Sequence, residues 1–169
     1  MQVFEAVRTV LAVRKFQDRT VPSELVRRIV EAGRLTASGQ NRQPWHFIVV
    51  TERETLKRLG SLARTGPYIA QAALAVVVVV NDQSNFSISD GSRAIQSMIL
   101  TAWSEGVGSN WAGWLGMPKV NALLGIPEQM QVLSVLPFGY PAKAVGKGKK
   151  NRKPLAEVAR RERFDKPFE

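Results

Sequence analysis

The residues of this chain whose types could do chemistry are amides, hydroxyls and cations rather than nucleophiles. Between Thr36 and Trp45 the sequence reads Thr-Ala-Ser-Gly-Gln-Asn-Arg-Gln-Pro-Trp, a loop of small and hydrogen-bonding side chains suited to touching something polar and flat. An ordinary connection rich in turn formers has the same composition. Pro44 has no N–H and bars Gln43 from the α region, so the helix upstream must end well before it. Two further groups stand out, the adjacent cations Arg14 and Lys15 and the basic run 147–153 that contains Lys150 and Arg152. There is no cysteine, which removes disulfides, thiolate metal sites and cysteine nucleophiles together. The single histidine, His46, lacks a second His or Cys with which to form a metal site and reads as a strand-end residue.

These groups must be positioned by about one domain, since 169 residues can bury roughly 70% of their unfolded surface; residues 1–169 are read as a single domain with 141–169 as an extended arm. Val3, Phe4, Val7, Val10 and Leu11 recur at helical spacing and predict an opening helix that ends near Val13. A second helix is expected from Pro22 to about Gly33, and Thr51-x-x-Glu54 reads as a capping box for a third. Leu74 to Val80, with five consecutive valines, predicts a strand buried on both faces. A long helix capped by Ser89 or Asp90 follows, then a strand from Ser109 to Trp114. A brief helix runs from Pro118 to Leu124, a strand from Gln131 to Tyr140, and a last short helix from Pro154 to Arg163. Helices and strands mix without a steady βαβ alternation, so the expected fold class is α+β.

The formal net charge is +10, and from Lys143 onward ten Lys or Arg face four Asp or Glu. Nucleic acid, an anionic cofactor or a solvated tail each fits such an excess. The basic run 147–153 carries no aromatic for base stacking, which weighs against nucleic acid as a partner. No stretch is long and apolar enough to span a bilayer, and no signal pattern opens the chain, so the expected address is cytoplasmic, without a membrane partner.

Four stretches together resemble the nitroreductase family of flavin-dependent oxidoreductases. They are Val13-Arg14-Lys15-Phe16-Gln17-Asp18-Arg19, Ala37-Ser38-x-x-Asn41-x-Gln43-Pro44-Trp45-His46-Phe47, Glu105-Gly106-Val107-Gly108-Ser109-Asn110-Trp111, and Pro137-Phe138-Gly139-Tyr140-Pro141 followed by Lys150-x-Arg152-x-Pro154-Leu155. The resemblance implies a mixed, mainly antiparallel sheet flanked by helices. It also implies a homodimer that exchanges its C-terminal segments and holds flavin mononucleotide (FMN) at the subunit interface. The activity implied is hydride transfer from NADH or NADPH, through flavin N5, to a nitroaromatic, quinone or similar small acceptor. The cofactor carries that chemistry, so no catalytic side chain and no metal is required.

Residue by residue, the resemblance sets Lys150 and Arg152 on the FMN phosphate and Arg14, with Lys15 beside it, at the flavin edge that becomes negative on reduction. Ser38 and Asn41 match positions that meet the ring system, commonly from the other subunit. Gln43 matches a contact to ring or ribityl oxygens, and the Gly113 backbone a donor to N5. Trp45, Trp103, Trp111 and Trp114 are read as core or interface residues. One departure stands out: Val10, Leu11 and Ala12 occupy places where the family usually carries Arg-Arg-Ser. Two alternatives follow, a member with a weak, lost or different flavin that serves as a binding protein, and a basic nucleic-acid-binding module.

Overall fold

β-branched side chains suit an extended backbone, and the valine run forms the central strand β2 (Leu74–Val80), buried along its whole length. The computed structural model describes every residue except Arg64, Trp114, 146–149 and Glu169. Strand β2 pairs antiparallel with β1 (Trp45–Val50) on one side and β4 (Gln131–Gly139) on the other. A two-residue β3 (Gly108–Ser109) pairs antiparallel with the end of β4, which gives the order β1-β2-β4-β3.

Alternation along β2 divides the core into two layers. Leu74, Val76, Val78 and Val80 face helices α2 (Ser23–Arg34) and α4 (Asn85–Ser104), where Ile29, Ile95, Met98 and Ala102 close one cluster. Ala75, Val77 and Val79 face α3 (Arg53–Leu62) and α5 (Pro118–Leu124), with Leu56, Leu59 and Val120 in the other. The fold is α+β, an antiparallel sheet between helical layers. Among the described residues no helix is long and apolar enough to cross a membrane.

Several boundaries differ from the sequence reading. The opening helix α1 (Val3–Thr9) stops four residues before Val13, because Ala12 bridges Ser109 and the Val13 N–H donates to the Ser109 carbonyl at 2.8 Å. Edge pairing takes those residues out of the helix. Its apolar face does not meet this chain's core either: Val3 is 77% and Phe4 76% exposed. The α3 cap is Glu52, which accepts from the Thr55 N–H at 2.9 Å, one residue later than the expected box. Ser84, not Ser89 or Asp90, caps α4 by accepting from the Ser87 N–H. The strand expected over 109–114 shrinks to β3 and an isolated Ala112–Val135 bridge, and the final helix α6 covers only Leu155–Val158.

Candidate active site

The loop between α2 and β1 folds on itself through its own polar groups. The Ser38 hydroxyl oxygen accepts from the Gln43 N–H at 2.9 Å, and the Gln43 amide donates to the Asn41 carbonyl at 3.2 Å. Gln40, Asn41 and Gln43 all take positive φ, at 53°, 55° and 49°, a region costly for residues with a Cβ. Gln43 thus avoids the right-handed α region that Pro44 forbids it by taking a positive φ. Asn41 and Gln43 are exposed and Ser38 half-buried, so the loop presents amides and a hydroxyl outward. It is moored to α4 by Asp90, whose Oδ2 accepts from the Gly39 N–H at 3.0 Å.

A second group lies beside β3. Backbone pairing of residues 12 and 13 with Ser109 turns Arg14 and Lys15 outward, both exposed, and the Arg14 guanidinium sits 6.0 Å from the centre of the Tyr68 ring. The Tyr68 hydroxyl is in turn hydrogen-bonded to Asn110, which is 8% exposed. Tyr68 and Asn110 escaped the sequence reading as site residues. The link between them joins a 3-10 turn, Pro67–Gln71, to the residue after β3, and no local pattern signals it.

Gly113 has φ +74°, and its N–H donates to Thr65 Oγ1 at 3.1 Å. A left-handed backbone of this kind favours glycine. The two residues border a cleft of about 500 Å³ that Leu62, Met117, Lys119 and Val120 help to line, within the size range of small-molecule sites. Trp111 donates from Nε1 to the Gly113 carbonyl at 2.9 Å and so braces this turn.

The arm contributes the third group. Lys150 Nζ donates to the Val7 carbonyl of α1 at 2.5 Å, which brings it to the helix that precedes Arg14. Its pKa is lowered from the ordinary lysine value, first by burial and second by the nearby Arg152 charge. Arg152 is exposed and donates to the Asn151 carbonyl at 2.8 Å. None of the ion pairs among the described residues involves Arg14, Lys15, Lys150 or Arg152. Lys150 and Arg152, close enough for one charge to depress the other's pKa, are a donor set suited to a multiply charged anion. Lys147 and Lys149 lie outside the described residues.

The structure does not bring all of these residues together in one chain. The loop is tied to α4 at Asp90, whereas α1, which leads to Arg14, is tied to it at Trp103, whose Nε1 donates to Thr9 Oγ1 at 2.9 Å. Thirteen residues of helix separate the two ties, about 20 Å at 1.5 Å per residue. The register agrees: Trp45, which follows the loop, pairs with Val80 at one end of β2, whereas Leu74 pairs with Phe138 at the other, beside β3. Of the tryptophans, Trp45 is buried, and Trp114 lies outside the described residues. His46 ends in a 2.8 Å hydrogen bond to Asn81, a strand-end role.

The family model described as the nitroreductase family matches residues 8–88 and 81–140. A protein of Methanothermobacter thermautotrophicus, provisionally named NADH dehydrogenase/NAD(P)H nitroreductase, is 36% identical over 154 residues, 86% of this chain and 81% of its own. Its namesake in Archaeoglobus fulgidus is 35% identical over 139 residues, 77% of this chain and 80% of its own. The crystal structure of a protein with the same provisional name from Parabacteroides distasonis superposes with a TM-score of 0.87 at 28% identity, covering 97% of this chain and 99% of that one.

Proposed function

The chain belongs to the nitroreductase family and is an oxidoreductase, and from that premise we propose that it works as a cytoplasmic homodimer with FMN in the seam between two copies. FMN, when bound, supplies two-electron chemistry at its N5, accepting hydride from NADH or NADPH and passing it to a small flat acceptor such as a nitroaromatic or quinone.

Each group of residues has a task in this reading. Lys150 and Arg152 hold the phosphate, and the proximity of their two positive charges fits that anion. Arg14, with Lys15 beside it, holds negative charge at the ring edge, where a preorganised cation favours the reduced state. The Gly113 N–H turns toward N5, sharing or exchanging its present bond to Thr65 Oγ1. Ser38, Asn41 and Gln43 of the second copy supply hydrogen bonds to the ring and ribityl oxygens.

The observation that carries the reading is the separation along α4, which puts the Ser38–Gln43 loop and Arg14 of one chain further apart than one isoalloxazine ring reaches. A second copy turned about a two-fold axis can bring its loop to the first copy's arginine. Exposed apolar side chains support the same arrangement: Val3 and Phe4 on α1, and Leu155, Val158 and Phe164 on the arm, the last 88% exposed. Sedimentation of the full chain and of a chain ending at Ala142 tests it. The full chain is expected to sediment as a dimer that binds FMN, and the shortened chain to lose both properties together; a monomer that binds FMN at full affinity would refute the seam.

A further inference from the structure

The polar loop is gripped from outside by a row of residues on α4. Asp90 is 2% exposed, and its two carboxylate oxygens accept from the Gly39 N–H and from Arg93, one turn along the helix. One turn further, Ser97 Oγ accepts from Thr36 Oγ1 at 2.8 Å. Positions 90, 93 and 97 fall on one side of the helix, and the first and last hold the loop at Gly39 and Thr36.

Asp90 lies among the buried positions of α4. Ala94 and Ile95, on the next turn, are fully buried. A buried carboxylate is costly unless it is paired and hydrogen-bonded, and here both oxygens are used, one on a backbone N–H that no other acceptor in the loop takes up. The residues that follow Gly39 pass through three left-handed conformations, a path that persists only where its surroundings determine it. The internal bonds of the loop join Ser38 to Gln43 and Gly39 to Arg42 and close it on itself, whereas the Asp90 bond sets where it stands against the rest of the molecule. Ser38, next to the gripped N–H, accepts from Gln43 through its oxygen and keeps its hydroxyl proton for an outside acceptor.

We propose that Asp90 is the positioning residue of the Ser38–Gln43 loop. It fixes the pose in which Ser38 and Asn41 present their hydrogen bonds across the seam, and Arg93 holds the carboxylate for that task. This rests on the reading that the loop meets FMN.

The test compares the full-length wild type with Asp90→Ala, Asp90→Asn, Ser38→Ala and Asn41→Ala. Two quantities are read: FMN affinity by quenching of flavin fluorescence, and amide hydrogen exchange of the FMN-free protein over residues 36–44, with β2 as the internal reference. Asp90→Ala is expected to raise exchange in 36–44 while β2 stays protected, and to weaken FMN about tenfold or more. Asp90→Asn can still accept from Gly39 but loses its charge opposite Arg93; it should fall between Asp90→Ala and wild type, and it serves alone if Asp90→Ala does not fold. The proposal is overturned if both Asp90 variants keep wild-type FMN affinity while Ser38→Ala and Asn41→Ala lose it. It is also overturned if exchange rises in β2 as much as in the loop, which would make Asp90 a general structural residue. If Ser38→Ala and Asn41→Ala also leave affinity unchanged, the loop does not meet FMN and the functional reading fails; exchange in 36–44 then still shows whether the grip exists.

Discussion

Substituting Gly108 by alanine tests how closely the Arg14 segment is locked to the sheet. A Cβ at position 108 would stand 2.4 Å from Val13 Cγ2, 2.8 Å from its Cβ and 3.1 Å from its Cγ1. Val13 cannot move aside easily, because its side chain is β-branched and 4% exposed and its N–H is bonded to the Ser109 carbonyl. Overpacking of this kind costs about 1–3 kcal/mol. The strain passes to the adjacent Arg14, so FMN affinity should fall along with stability. Val13→Ala alone costs about 1.5–3 kcal/mol through lost burial. In the double variant the contacts with Cγ2 and Cγ1 disappear while the 2.8 Å contact with the Cβ that Ala keeps at position 13 remains, so the pair should be more stable than the sum of the single changes by part of the overpacking cost, about 0.5–1 kcal/mol. Urea denaturation of the four proteins at one fixed protein concentration measures this, the fixed concentration being needed because the stability of the proposed dimer would depend on it. Additive single effects, or a Gly108→Ala protein as stable as wild type, would refute the packing argument.

Three further outcomes are expected. Arg14→Ala should slow flavin reduction by NADH or NADPH more than it loosens FMN, whereas Lys150→Ala with Arg152→Ala should loosen FMN first, by tenfold or more if each lost charge-assisted bond is worth about 1.5–3 kcal/mol; stopped-flow reduction and FMN titration separate the two. Val10→Arg with Ala12→Ser should tighten FMN in the same titration, since Ala12 is exposed and engaged through its backbone, which leaves room for a hydroxyl. The phosphate favours charged Lys150, so affinity should be full while this lysine is protonated and fall as pH rises through its lowered pKa, earlier than for a lysine of the ordinary value 10.5; in Lys150→Arg, which stays charged, titration across alkaline pH should show that fall removed.

Local signals proved readable and long-range ones did not. The valine run specified β2 by side-chain shape alone, and Pro118 with a left-handed Gly125 at φ 65° bounded α5 as a sequence rule expects. The end of α1 was misread because pairing with Ser109, nearly a hundred residues away, outweighs the helical spacing of Val10 and Leu11. The apolar face of α1 was legible as a pattern, but the pattern does not say that it faces outward from this chain. The candidate site shows the same division. Its loop, its paired cations and Gly113 stood out by residue type and by family resemblance. Asp90, Thr65, Tyr68 and Asn110 act through partners 42 to 51 residues away along the chain. Asp90 has one visible sign in the sequence, a carboxylate four residues before Ala94 on an apolar helical face, but a place near the start of α4 fits a cap equally well.

The central claim, that this protein holds FMN between two copies, is tested most directly by titrating the purified protein, its mass followed by sedimentation, with FMN while following the visible flavin bands and then adding NADH or NADPH. The account predicts saturation at one FMN per chain and bleaching of the bands by the nicotinamide. A folded protein that shows no saturable binding at any FMN concentration would contradict it.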